Sequence, residues 1–362
     1  MSRPSSFRFG DYTSEIRFVS PIRSFRFSSE SGIVLVFDRN TAGIPVSAGM
    51  IPPAGSASGA APSGSARVIL KPGERSKSWA GASRILARAL RAGLGRDGLI
   101  VGIGGGMICD LAAFAASLYM RGCRLHLVPT SLLAMVDAAV GGKTAINYGG
   151  YKNMAGTFYP AEQIVVDVSL LRTLPAREFR SGMGEVIKTA LLGDAVLLEM
   201  LSGQKDRILE AEPGLMEETA RRCIAVKAGI VEADLRESGN RTFLNLGHTY
   251  GHALEAVTGY RLFSHGQAVA WGLMQAAVLS RRIGLADSAY TDLVRGLLQM
   301  YGFDLKVRSK PESIVRAMLV DKKKRRGKLR LVLQRGIGDT VVREVDPSLV
   351  AETMELSSRN GS

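Results

Sequence analysis

Three of the chain's four histidines fall between positions 248 and 265. His248 and His252 stand four residues apart in Leu244-Asn245-Leu246-Gly247-His248-Thr249-Tyr250-Gly251-His252, and His265-Gly266 follows. On a helix, side chains at i and i+4 project from one face. Neutral imidazole is the commonest metal ligand, and two such ligands with a carboxylate from elsewhere make an open catalytic zinc site. A pair of hydrogen-bonded core or capping histidines would share this spacing, but tight clustering of a scarce residue favours a metal. Glu185, in Gly184-Glu185-Val186-Ile187-Lys188, is set among apolar residues and suits a third ligand; the plainer alternative is an exposed i, i+3 ion pair with Lys188.

A second chemistry lies at Gly104-Gly105-Gly106-Met107-Ile108-Cys109-Asp110. Glycines there let backbone N–H groups approach a phosphate, and a helix N-terminus favours negative charge. The run is not a full GxGxxG, and glycines also serve plain tight turns, but its strand–turn–helix setting favours a dinucleotide. Lys227 interrupts an apolar stripe of Met216, Ala220, Cys223, Ile224, Ile230 and Val231. It either snorkels to the edge or points its charge into an anion site.

These groups need elements to hold them. Ile33–Asp38, Leu99–Ile103, Leu125–Val128 and Ile164–Val166 read as buried strands. Trp79, Ala82, Ile85, Leu86, Ala89 and Leu90 recur at helical spacing, and an Ala-rich helix is expected from about Asp110 to Met120. Alternation of this kind means an α/β domain with a parallel sheet. From Arg177 to about Tyr301 nearly everything reads as helix, and Leu329–Leu333 with Thr340–Val345 suggests a hairpin. Residues 1–30 give weak signals, and 42–66, rich in Gly, Ala, Ser and Pro, reads as a flexible surface loop in part. The expected organisation is an α/β domain over 1–175 and a helical domain over 176–362.

The chain has 362 residues, 46% hydrophobic and 22% charged, ordinary for a soluble globular protein. No run is long and apolar enough for a membrane helix, and Met-Ser-Arg-Pro-Ser-Ser-Phe lacks the apolar segment of a signal peptide. Three widely spaced cysteines, Cys109, Cys123 and Cys223, suit reduced thiols in a cytoplasm. The net charge of +14 is spread along the chain, with one dense run at Asp321-Lys322-Lys323-Lys324-Arg325-Arg326 and no nucleic-acid motif beside it. That run reads as a solvated turn or as part of a site for an anionic small molecule.

Seven ordered blocks match a known pattern: Gly104–Ala112, Tyr119–Gly122, Val128–Ala134, Val136–Thr144 with Lys152–Met154, Gly184–Lys188, the histidine segment, and Asp321–Lys323. On them the chain resembles the 3-dehydroquinate synthases, of the sugar phosphate cyclase superfamily, over about residues 33–345. The resemblance implies an N-terminal Rossmann-like NAD-binding domain, an all-α C-terminal metal-binding domain, an active site in the cleft between them, and a homodimer. It implies one divalent ion, zinc or cobalt, held by Glu185, His248 and His265; His252, despite its i+4 spacing, would instead face the substrate phosphate. Substrate-contacting or catalytic positions would be Asp137, Lys143, Lys152, Asn153, Lys188, Lys227, Glu237, Arg241, Asn245, His252 and one of Lys322 or Lys323, with Arg121 reaching into the partner's site. NAD would meet Asp38, Gly73, Glu74, Lys77, Gly105, Gly106, Met107, Ile108, Cys109, Asp110, Thr130, Ser131, Asp137, Lys143, Lys152, Leu170, Leu171, Arg172, Thr173 and Glu178.

The implied chemistry suits the residues. A seven-carbon keto-sugar acid phosphate, 3-deoxy-D-arabino-heptulosonate 7-phosphate, would be oxidised transiently by NAD, lose phosphate by β-elimination, be reduced again, and close by an internal aldol step to 3-dehydroquinate. Lys143, Lys188, Lys227, Arg241 and Lys322 are the cations such an anion needs. Departures from the pattern are Gln267 for a glutamate, Cys109 and Ala113 for glycines, the 42–66 segment, and Asp234-Leu235-Arg236-Glu237 for Asp-Glu-x-Glu. Competing readings are a cyclase of the 2-epi-5-epi-valiolone synthase kind acting on a neutral sugar phosphate, a metal- and NAD-dependent polyol dehydrogenase, and a catalytically dead scaffold.

Overall fold

Strand-forming runs with no polar interruption end up covered on both faces, and here they build a parallel sheet. The computed structural model describes residues 4–50, 66–237, 239–321 and 328–359. The chain divides into two compact units, Met1–Leu174 and Pro175–Ser362.

The first unit contains β1 (Ser5–Phe9), β2 (Tyr12–Phe18), β3 (Arg26–Ser29), β4 (Ile33–Asp38), β5 (Ser47–Met50), β6 (Ala66–Leu70), α1 (Trp79–Arg91), β7 (Leu99–Gly104), α2 (Gly106–Leu118), β8 (Arg124–Pro129), β9 (Lys143–Tyr148), β10 (Tyr151–Phe158) and β11 (Gln163–Val166). Seven strands form one sheet in the order β1-β2-β11-β8-β7-β4-β6. All neighbours are parallel except the edge pair β1–β2. Every residue of β4 and β7 is buried, as expected of central parallel strands covered on both faces. Ile33, Leu35, Phe37, Leu99, Val101 and Ile103 share one core cluster with Ile22 and Phe27. Chain order reverses between β4, which leads outward to β6, and β7, which leads to β8 on the other side. In open α/β sheets that switch point, at the carboxyl ends of the strands, is where ligands sit.

Several expectations change. The weak stretch 1–30 supplies three strands, and β5 pairs in parallel with β3, so the segment expected as a loop is ordered strand over Ser47–Met50. Residues 51–65 of that segment lie outside the described residues, as do Lys322 and Lys323. The Ala-rich helix begins at Gly106 rather than Asp110, because Gly105 in extended conformation serves as its N-cap. It ends at Leu118, where Met120 and Arg121 turn left-handed. On α1 the buried stripe is Ala82, Ile85 and Ala89; Trp79 and Leu90 face outward.

The second unit contains α3 (Ala176–Leu191), α4 (Ala195–Gly203), α5 (Lys205–Leu209), α6 (Pro213–Ala233), α7 (His248–Val257), α8 (His265–Arg282), α9 (Ser288–Met300), α10 (Pro311–Asp321), β12 (Leu329–Gly336), β13 (Asp339–Val345) and α11 (Pro347–Arg359). The hairpin β12–β13 is antiparallel. Helix α8 is buried along most of its length and packs against α3, α7, α9, α11 and β12. Its contacts with α3 and α7 are made by glycines. A Cβ at Gly266 would collide with the Ser181 carbonyl, one at Gly184 with Gly266 O at 2.5 Å, and one at Gly251 with Ala268 O at 3.0 Å. Close backbone approach of this kind is what brings side chains of three helices onto one point. No helix among the described residues is long and apolar enough to cross a membrane.

Candidate active site

Glu185 lies on α3, His248 at the start of α7 and His265 at the start of α8, and the glycine contacts converge them. Glu185 Oε1 is 3.4 Å from His248 Nε2 and 3.5 Å from His265 Nε2. Donors about 2.1 Å from a tetrahedral ion stand about 3.4 Å apart, so each histidine nitrogen has the separation from this carboxylate oxygen that two ligands on one ion have. Glu185 is fully buried, and neither carboxylate oxygen is in hydrogen-bond geometry, although Lys188 Nζ closes on Oε2 as an ion pair. A buried carboxylate left so is costly unless a cation completes it. The pair is therefore interior, against the exposed i, i+3 alternative.

Electrostatics agree with that geometry. Burial pushes the Glu185 carboxyl up, but the Lys188 ammonium, then His248 and His265, outweigh it and hold the group well below the ordinary carboxylate range. Burial, then the Lys188 charge, pushes His248 down to about 3. Burial opposes charge on His265 too, but the Glu185 and Glu255 carboxylates beside it win and raise it to about 10.

His252 also stands near. Donor atoms of His248, His252 and His265 lie within 4.8 Å of one another, which makes a second candidate ligand set. His252 is exposed, whereas Glu185 is buried and lies 3.4 and 3.5 Å from His248 and His265, so the carboxylate set is the better fit. The i, i+4 pairing read from the sequence does place both rings on one side of α7, with centroids 5.4 Å apart.

The structure adds a residue the sequence reading missed. Glu255 is buried on α7, and its Oε2 lies 3.5 Å from His265 Nδ1. A carboxylate there holds the ring with its proton on Nδ1 and leaves Nε2 for a metal. Its position seven residues after His248 and three after His252, on their face of the helix, was the available signal.

The same unit holds the other expected residues. Lys188 and Lys227 are both buried, so Lys227 faces inward on α6. Arg241 is buried in a short 3₁₀ turn, where its Nη1 donates to Leu235 O and its backbone N–H to Asp234 Oδ2 at 3.1 Å. Asn245 Nδ2 donates to Glu237 Oε1 at 2.5 Å. Gln267 donates to Asp304 O at 2.6 Å, a local tether that leaves the ligand set intact. Glu178 sits in the first turn of α3.

In the first unit, the ends of β4, β7 and β8 gather the nucleotide candidates. Asp38 closes β4 and accepts from the N–H groups of Asn40 and Thr41 at 2.9 and 3.1 Å. Thr41 Oγ1 donates to Ile103 O at 2.9 Å, and Thr130 N to Gly104 O at 3.0 Å. The glycines divide their roles. A Cβ at Gly104 would lie 2.6 Å from Ile108 Cβ, so Gly104 serves helix–strand packing. Gly105 and Gly106 open the helix without a side-chain cap, which suits close approach of a phosphate. Cys109 and Ala113 lie on the buried face of α2, so they leave that approach untouched. Burial pushes the Cys109 thiol far up, which makes it an inert core residue. Met107, Ile108 and Ser131 flank the same turn, whereas Leu170, Leu171, Arg172 and Thr173 occupy a 3₁₀ turn, with Leu171 buried.

Lys77 is buried and pairs with Asp110, and it donates to Asn153 Oδ1 at 2.5 Å. Asp137 sits in a π-helical turn, Ala134–Ala138, a geometry that recurs at functional sites. Lys143 and Lys152 lie on β9 and β10. Arg121 is exposed in left-handed conformation.

Two family models match the chain: 3-dehydroquinate synthase N-terminal over residues 67–181 and 3-dehydroquinate synthase C-terminal over residues 182–324. The chain belongs to the 3-dehydroquinate synthase family. A 3-dehydroquinate synthase of Acidithiobacillus ferrooxidans is 42% identical over 296 residues, 81% of each chain. One of Xanthomonas campestris pv. campestris is 41% identical over 295 residues, 79% of this chain and 80% of that one. Among solved structures, a 2-deoxy-scyllo-inosose synthase complexed with carbaglucose-6-phosphate, NAD+ and Co2+ superposes with a TM-score of 0.82 at 23% identity, covering 98% of this chain and 99% of that one. A 2-epi-5-epi-valiolone synthase from Streptomyces hygroscopicus with NAD+ and Zn2+ bound has a TM-score of 0.81 at 23% identity, covering 99% and 100%. At that identity the two share the fold with this family member.

Proposed function

We propose that the chain converts 3-deoxy-D-arabino-heptulosonate 7-phosphate to 3-dehydroquinate and phosphate, using NAD and one divalent metal ion. The observation that carries this is the 42% identity to a 3-dehydroquinate synthase over 81% of both chains, joined to the convergence of Glu185, His248 and His265. Those three residues would hold the ion, which would supply Lewis-acid polarisation of a substrate hydroxyl. The turn at Gly105–Asp110 would hold the NAD pyrophosphate, and NAD there would supply reversible oxidation chemistry. Glu255 fixes the His265 tautomer. Lys188, beside Glu185, and His252, on the exposed side of α7, are placed to meet anionic substrate oxygens. Lys227 and Arg241 are buried cations in the same unit and suit the carboxylate, the group that separates this substrate from neutral sugar phosphates.

The same reading includes a cytoplasmic homodimer in which Arg121 reaches the partner's site. Its exposed position in a left-handed turn supports that role. The decisive experiment incubates purified protein with the heptulosonate phosphate, NAD and zinc or cobalt, and follows phosphate release and dehydroquinate together. Formation of both in equal amounts is expected. Stoichiometric NADH without phosphate release would replace the cyclase by a dehydrogenase.

A further inference from the structure

The hairpin β9–β10 turns at Gly149-Gly150, both with positive φ, and its ladder slips between Tyr151 and Ala155. Lys152, Asn153 and Met154 lie in that slip. A bulge removes residues from the ladder and re-aims their side chains, leaving backbone donors to be satisfied elsewhere. Asn153 is left-handed, with φ of 54°, a conformation asparagine tolerates better than most residues. Its N–H is taken by Asn147 Oδ1 at 3.0 Å. The other end of the same amide donates to Glu74 Oε1 at 2.8 Å, and the Asn147 backbone N–H donates to Lys77 O at 2.8 Å. Lys77 in turn reaches Asn153 Oδ1 at 2.5 Å. One half-buried asparagine therefore ties together the 73–77 segment, expected to meet NAD, and the bulge that carries Lys152 and Asn153, expected to meet substrate.

We infer that Asn147 is a positioning residue that holds the nucleotide segment through the donor end of its amide and the substrate bulge through the acceptor end, so that each segment holds its ligand at full strength only while its own end is engaged. The inference rests on the functional reading above. An amide is the required group, since one end must accept from Asn153 N–H while the other donates to a carboxylate. Aspartate keeps the acceptor but turns a second carboxylate toward Glu74.

The test measures NADH binding by cofactor fluorescence, and KM for the heptulosonate phosphate, in wild type, Asn147→Ala, Asn147→Asp and Asn147→Asp/Glu74→Gln, with thermal unfolding recorded for each. Asn147→Ala is expected to weaken NADH and raise KM, each about tenfold, the effect of losing roughly one hydrogen bond on each side. Asn147→Asp is expected to weaken NADH about tenfold and leave KM within about twofold, a split that general loosening would not give. The double variant returns the Asn147→Asp loss toward wild type, because glutamine donates where glutamate could not; its coupling is read against Glu74→Gln alone. Variants that bind NADH and substrate like wild type overturn the inference, as does Asn147→Asp losing both equally. Wild type that binds no NADH overturns the functional reading and the inference with it.

Discussion

At the scale of single residues, the site depends on a carboxylate whose burial is tolerable only beside positive charge. Replacing Glu185, His248 or His265 with Ala should strip most of the bound metal and the activity, because a three-ligand site rarely survives as two. Metal content after dialysis, measured by atomic absorption, checks this; full loading of His265→Ala would remove it from the ligand set. His252→Ala should keep its metal and lose rate, which separates the carboxylate set from the three-histidine set. Glu255→Gln should weaken metal binding about 10- to 100-fold in chelator competition while the fold persists, the usual cost of losing a partner that orients a ligand. Arg241→Ala should lower kcat/KM on the acid substrate by about thirtyfold or more, following the roughly 2–5 kcal/mol of a lost buried charged contact. Arg241 also supports Leu235 O, so Arg241→Lys, which keeps the charge, is the informative companion. Metal and NADH binding unchanged in both variants would place the loss at the substrate.

At the scale of elements, glycines set the distances between helices. Gly266→Ala puts a methyl group into the Ser181 carbonyl and must push α8 from α3, and with it His265 from Glu185. Overpacking of this kind costs about 1–3 kcal/mol, so a fall of several degrees in Tm and a loss of metal affinity are expected together. Gly229 on α6 is the control: a Cβ there meets nothing within 4 Å, and Gly229→Ala should raise stability by about 0.4–1 kcal/mol. A Gly266→Ala protein with normal Tm and metal content would show that the helix contact is softer than its geometry requires.

For the whole molecule, metal and cofactor should behave as ligands of the folded state. Stripping the ion with a chelator should lower Tm, and adding zinc or cobalt should restore it, by the ordinary linkage of binding to folding. NAD should support many turnovers at substoichiometric amounts, with no absorbance accumulating at 340 nm. Steady growth of that absorbance would mean net oxidation and a different reaction.

The buried strands, the helical second half and the C-terminal hairpin were legible because their residues repeat with the period of the element they form, and local periodicity needs no knowledge of distant contacts. The candidate ligands were legible because histidine is scarce here and three fall together. Spacing alone paired His248 with His252, since i, i+4 is all a local pattern can express. Only the tertiary structure brought Glu185, some sixty residues earlier, within 3.4 Å of His248, because that approach depends on glycine contacts between helices. The same holds for Glu255 behind His265 and for Asn147 between Glu74 and Asn153. Residue types and local rhythm determined which groups the protein possesses; packing decided which of them meet, because a hydrogen bond or a shared ion is set by distance in space and sequence records only distance along the chain.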